Sequence, residues 1–175
     1  LQLIKEAFPN ASEVAILYNP LNALDARDLP VLKQAGATLG LNLRPVEARA
    51  PEDFVAAFNR LRVRPPEVLY VLGSPLVYNE RQHIVALANR QRQPAVYALP
   101  DMAEAGGLLS YSFSLIEQSR AAATYIDKIL RGASPATLPV EQPTRFELVL
   151  NLRTAKALGI SFPSAILQRA DRVIE

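Results

Sequence analysis

"VAILYNP", residues 14–20, is the stretch on which the fold turns. An unbroken apolar run from Val14 to Tyr18 stops at Asn19-Pro20. A run so short, bounded by turn residues, suits a strand buried on both faces, as in a parallel sheet. The same kind of unit recurs along the chain: "LNLRPVEA" (41–48), "VLYVLG" (68–73), "PAVYAL" (94–99) and "LLSYSF" (108–113). Between them lie stretches with helical spacing: Val31, Leu32, Ala35 and Leu39, then Phe54, Val55, Phe58 and Leu61, then Ile84, Leu87 and Ala88. Strands alternating with helices predict a parallel, flavodoxin-like α/β sheet of order 2-1-3-4-5 with helices on both faces. Pro45 directs the second strand to an edge, because it cannot donate to a ladder.

Several local signals are ambiguous. Asn22 and Asp28 are both plausible N-caps for the first long helix, and Pro30 either begins that helix or kinks it. Asn79 with Gln82 reads as a capping box. After the fifth strand a long amphipathic stretch, Leu115 to Leu130, runs into the proline-rich "ASPATLPVEQPT" (133–144), a linker or crossing segment. "RFELVLN" (145–151) alternates like a half-buried edge strand, and two short amphipathic pieces, 155–158 and 164–173, read as a helical tail.

Composition bounds the function. The chain has 175 residues, 50% of them hydrophobic and 21% charged, with a net charge of +2. A chain of this size can bury roughly 70% of its unfolded surface, so it needs no disulfide or metal staple. Its cations are scattered, and Arg60, Arg62 and Arg64 close a helix rather than forming a phosphate-binding face, so no nucleic-acid partner is expected. With no cysteine, disulfides and thiolate chemistry are excluded. The sequence opens on Leu1 in what already reads as a helix, so it is expected to be a fragment.

Catalytic patterns are missing as well. The single histidine, His83, lies in the first turns of a helix, and no nucleophile elbow, phosphate-binding glycine loop or zinc-binding helix occurs. No metal or cofactor is expected, and a small hydrolase would have to rely on Ser74. A phosphoacceptor receiver domain, which shares the strand order, needs acids where this chain has Tyr18-Asn19 and Gly73-Ser74. What the strand ends do offer is hydrogen-bonding and aromatic: "YNPLN" (18–22), "GSPLVYN" (73–79), "LPDMAEAGG" (99–107) and "SYSF" (110–113). In an open α/β sheet, ligands bind beyond the carboxyl ends of the strands, at the switch in strand order. Gly106-Gly107 is read as a helix C-cap that brings backbone close to this cleft.

Together "VAILYNP", "YVLGSPL", "QHIVALANRQRQPAVY", "EAGGLLSYSFS", "AAATYIDKILRGASPATLPVEQPTRFELVLNLRTAKALGI" and "PSAILQRADRVIE" resemble the substrate-binding proteins of ABC transporters, in the group that includes tryptophan and tyrosine importers. The resemblance runs end to end. It implies one lobe of a type I periplasmic-binding-protein fold, two lobes closing on a small organic ligand, an aromatic amino acid among the options, and delivery to a membrane permease. It implies no enzyme activity. It implies a periplasmic or extracytoplasmic location, with lipid anchoring as an option. Residues 1–113 match the C-terminal lobe, 114–144 a helix and crossing that belong with a first lobe missing here, and 145–175 the return strand and tail. Without that lobe the Leu115 helix must repack, swap into a fragment-induced dimer or expose its apolar stripe. Carried over position by position, the ligand contacts are Tyr18, Asn19, Pro20, Ser74, Pro75 and Tyr111, with Asp101 for a ligand amine. The rival expectation is a ligand-sensing domain of a signalling or transcriptional regulator on the same fold.

Overall fold

The computed structural model describes residues 1–143 and 145–175; Thr144, the last residue of the expected crossing segment, lies outside them. The chain opens on helix α1 (Gln2–Ala7) and enters β1 (Glu13–Tyr18), whose side chains from Val14 onward are buried. Helix α2 (Ala23–Thr38) follows, then β2 (Asn42–Glu47), α3 (Asp53–Val63), β3 (Val68–Val71), α4 (Pro75–Asn79) and α5 (Arg81–Arg90). Next come β4 (Ala95–Tyr97), α6 (Asp101–Glu104), β5 (Leu109–Phe113) and α7 (Leu115–Leu130), then β6 (Phe146–Asn151), α8 (Leu152–Leu158), α9 (Ser164–Arg169) and β7 (Arg172–Ile174). Among the described residues, no helix is long and apolar enough to cross a membrane.

One sheet carries the order β2-β1-β3-β4-β5-β6-β7, so the expected 2-1-3-4-5 core is present and extended by two strands. The first five strands are parallel, and β6 runs antiparallel to β5. β2 with its Pro45 lies at one edge, where the missing N–H costs no ladder bond. Helices cover both faces. On one, Phe54, Phe58 and Leu61 of α3, Ile84 and Val85 of α5 and Met102 of α6 pack on Ala15, Leu17, Leu69 and Val71. On the other, α1, α2, α8 and α9 cover Val14, Ile16, Val68, Leu109, Leu148 and Leu150. Each large apolar side chain so buried stabilises the fold by about 1.5–3 kcal/mol.

The structure resolves one local ambiguity and corrects two local expectations. α2 begins after Asn22, whose side chain accepts from the Asp25 N–H, and runs through Pro30. That is tolerable because Ala26, whose carbonyl loses its partner, is exposed to water. Its inward stripe is Asp25, Leu29, Leu32, Gly36 and Leu39; Val31 and Ala35 face outward. Gly36 permits the close approach, since a Cβ there would come within 2.6 Å of Leu43. Ser74, not Asn79, caps the next helix, which breaks at Glu80 into α4 and α5.

β6 is not an edge strand, and the tail is not wholly helical. Residues 172–174 pair in parallel with 149–151, and Asp171 clamps the junction by donating its N–H to the Leu148 carbonyl and accepting the Leu148 N–H on its carboxylate. β7 pairs with the outer edge of β6, whose Leu148, Val149 and Leu150 are buried, and so covers backbone groups that an edge would leave open.

α7 differs from every other long helix here: none of its side chains with a described burial is buried. Ile116 is 65% exposed and Leu130 82%. Its apolar stripe is exposed within the single chain. The excursion that carries α7 leaves and re-enters the sheet at one place, since Phe113 pairs with Phe146 and the Ser114 N–H donates to the Arg145 carbonyl.

Candidate functional site

The register across the sheet aligns the carboxyl ends. Leu17 pairs with Val71, Val71 with Tyr97 and Tyr97 with Ser110, so the next row outward is Tyr18, Leu72, Ala98 and Tyr111. Asn19-Pro20 follows β1, Ser74-Pro75 follows β3, and Asp101 lies four residues beyond β4. All seven expected contacts therefore belong to one border of the sheet, on both sides of the switch between β1 and β3.

Their side chains are not equivalent. The Tyr18 ring is only 7% exposed and its hydroxyl donates 3.0 Å to Glu47. Burial raises its pKa first, and the bond to the Glu47 carboxylate raises it further. Arg49 in turn holds the other oxygen of Glu47. Tyr18 thus braces the β1–β2 border from beneath.

Asn19 is set by a buried acid that sequence reasoning did not single out. Asp25, 3% exposed, accepts the Asn19 N–H at 2.9 Å. Burial raises the Asp25 pKa, opposed by that hydrogen bond and assisted by nearby Asp28. Its signal was readable in part: Asn22 and Asp25 have capping-box spacing, but the acid reaches back to Asn19 instead of to the cap. The Asn19 Oδ1 accepts the Leu21 N–H at 2.9 Å, which fixes the amide orientation, since a backbone N–H can meet only the oxygen. Its Nδ2 keeps two hydrogens with no partner among the described residues. Ser74, also buried, accepts the Val77 N–H on Oγ, leaving its hydroxyl hydrogen to donate. Asn19 and Ser74, both just beyond strand ends on this border, therefore each keep a donor to offer.

Asp101 is the first residue of α6, following Pro100, which caps the helix without a side-chain bond. Opposite in charge character to the donors, it can take a cationic group. Tyr111 is 42% exposed, and its ring stacks on Phe146 at 5.6 Å between centroids and 20° between planes. Sequence reading had assigned Phe146 to a half-buried alternation and missed that it shares this border.

Gly106 and Gly107 shape the corner that launches β5. Gly106 has φ +100°, and the Gly107 N–H donates to the Met102 carbonyl, closing α6. The Gly106 carbonyl accepts from Asn89 of α5 and Thr154 of α8. Gly107 lies against the Tyr97 ring so closely that no side chain fits. The C-cap reading of this pair agrees with the geometry, but its expected closeness to the cleft does not: the pair precedes β5 and lies at the amino end of the parallel strands, opposite the border of Tyr18 and Tyr111.

Beside the border, a groove of about 600 Å³ lies along α7, lined among others by Ser114, Glu117, Tyr125, Glu141 and Arg145. His83, the single histidine, lies beside Glu80 at 3.4 Å and edge-on to Phe54. Among the described residues, no group of three metal-ligating side chains converges.

No curated protein sequence matches the chain. Among solved structures, a conserved domain protein from Vibrio cholerae O1 biovar El Tor superimposes with a TM-score of 0.90 at 29% identity, over 98% of this chain. The ABC domain from Streptococcus pneumoniae, solved in complex with L-Trp, gives a TM-score of 0.90 at 22% identity over 99%. A ligand-free, open substrate binding protein with adhesive properties from Clostridium difficile gives 0.75 at 22% over 99%. The chain spans 58% of the length of each of these three. The family model for ABC transporter substrate binding protein matches residues 1–174, and with its fold and strand-end border the chain belongs to that family.

Proposed function

We propose that the chain is the C-terminal lobe of the solute-binding component of an ABC importer, which holds a small organic ligand by closing two lobes upon it. One observation carries the reading: the donors of Asn19 and Ser74, the carboxylate of Asp101 and the ring of Tyr111 lie along a single sheet border in a chain of the substrate-binding family. An amino acid matches that inventory, with its carboxylate toward the donors and its ammonium toward Asp101. The relative that holds L-Trp supports an aromatic one.

Residues 114–144 belong, in this reading, with a first lobe outside the chain. Their exposed apolar helix supports that, as does their exit and return at the paired Phe113 and Phe146, a natural hinge. Ligand then stabilises the closed form through contacts to both lobes, because only differential affinity shifts such an equilibrium. The partner is a membrane permease, and the site of action is periplasmic or otherwise extracytoplasmic.

Titration calorimetry with L-tryptophan tests this. The full-length protein is expected to bind, and the 175-residue chain to bind far more weakly or not at all. Equal affinities would show that no second lobe completes the site. Asn19→Ala and Asp101→Ala should each weaken binding by roughly tenfold to over a hundredfold, the worth of a hydrogen bond to a charged group.

A further inference from the structure

We infer that Tyr111 and Phe146 form a ring-stacking subsite that selects a ligand with a planar, unsaturated side chain. The inference rests on the binding reading above and adds to it a residue, Phe146, and a selection rule.

Its starting point is a pair of large aromatic side chains left open to water. Tyr111 pairs across the antiparallel ladder with Leu148, and Phe146 stands two residues along β6 on the same face. Leu109, Leu148 and Leu150 of that face are buried beneath the helices. Tyr111 and Phe146 lie past the helical cover, at 42% and 46% exposure. They are not scattered surface residues: the two rings are stacked at 5.6 Å and nearly parallel. Offset parallel rings leave outer faces free for a third ring.

Rigidity favours binding rather than loose packing. Both residues sit on paired strands, and each side chain has two rotatable angles, so little entropy is lost when a ligand docks. The pair stands at the carboxyl end of β5, the same border as Ser74 and Asn19. Polarity separates it from the other exposed tyrosine near the border. The ring of Tyr78 is occupied by the Arg81 guanidinium, 4.7 Å from its centroid, whereas no cation lies over Tyr111 or Phe146 among the described residues. A neutral π-surface matches an uncharged flat ring better than an aliphatic or charged side chain.

The test uses the full-length protein and calorimetry with L-tryptophan, L-phenylalanine and L-cyclohexylalanine; the last keeps the carbon count of phenylalanine without its flat π-face. Wild type should prefer phenylalanine to cyclohexylalanine. Phe146→Leu, which keeps an apolar side chain at a half-exposed position, should weaken the two aromatic probes roughly threefold to tenfold and shrink that preference. Phe146→Tyr should restore it. Asn19→Ala should weaken all three probes alike and leave the preference intact. If Asn19→Ala weakens binding while Phe146→Leu leaves the preference unchanged, the ring subsite is refuted and the binding reading survives. If no probe binds, or Asn19→Ala has no effect, both fall.

Discussion

Replacing Gly107 with alanine probes the corner that launches β5 from the amino end of the sheet. A Cβ at Gly107 would lie 2.6 Å from the Met102 carbonyl oxygen, 2.6 Å from Cε2 of Tyr97 and 3.0 Å from Cδ2. Neither obstacle can retreat cheaply. The Met102 carbonyl is held 2.8 Å from the Gly107 N–H itself, and the Tyr97 ring is 1% exposed. Gly107 is not among the positive-φ residues, so the penalty is overpacking and not backbone conformation. Overpacking of this kind costs about 1–3 kcal/mol. For a domain of this size each kcal/mol moves the melting temperature by about 2–4 °C, so a fall of roughly 2–12 °C is expected. Thermal melts followed by far-UV circular dichroism measure it. Tyr97→Leu supplies the cross-check: in that background the ring contact is gone, so Gly107→Ala should cost less than in wild type. Melting of Gly107→Ala within about 1 °C of wild type would refute the reasoning, because the α6–β5 corner would then have slack that the distances deny.

Asp25 and the acids at the opposite end of the sheet allow two more tests. Asp25→Ala should release the Asn19 N–H and speed its hydrogen exchange roughly fivefold, the equivalent of about 1 kcal/mol, while Asp25→Asn keeps an acceptor and should not; unchanged exchange in the alanine variant would remove Asp25 as the brace of that loop. Glu67 accepts the Glu13 and Ser12 N–H groups, which hold its pKa below the ordinary 4.5. Burial would raise the pKa of Glu13, but hydrogen bonds from Arg44 and Arg64 outweigh it and the net shift is downward. A depressed carboxylate stabilises the fold above its unfolded pKa and loses that contribution as pH falls through its folded pKa, so stability should decline below about pH 4.5. Asp25, raised by burial, has the opposite sign and should not add to that decline. Glu67→Gln should lower the melting temperature at pH 7 and narrow the gap between pH 7 and pH 3.5; an unchanged gap would show that Glu67 is not depressed in the fold.

What the amino-acid sequence determined alone is what short-range chemistry encodes. The apolar run Val14–Tyr18, Pro45 in a strand, Phe54 and Phe58 at helical spacing and the glycine pair 106–107 each limit their own backbone whatever lies nearby, and these elements all appear where the residues called for them. They suffice for an α/β sheet of known order and for a border of strand-end loops. Only the tertiary structure decided which groups on that border are free. Tyr18 looks like Tyr111 in sequence, yet one is buried on Glu47 and the other stacks in the open on Phe146. Arg172–Ile174 becomes a strand by pairing with the outer side of β6, and Asn19 keeps only its amide hydrogens to offer because Asp25 and Leu21 occupy its other groups. Strand pairing, burial and hydrogen-bond satisfaction join residues far apart in the chain, and a periodicity of two or of 3.6 residues carries no record of them.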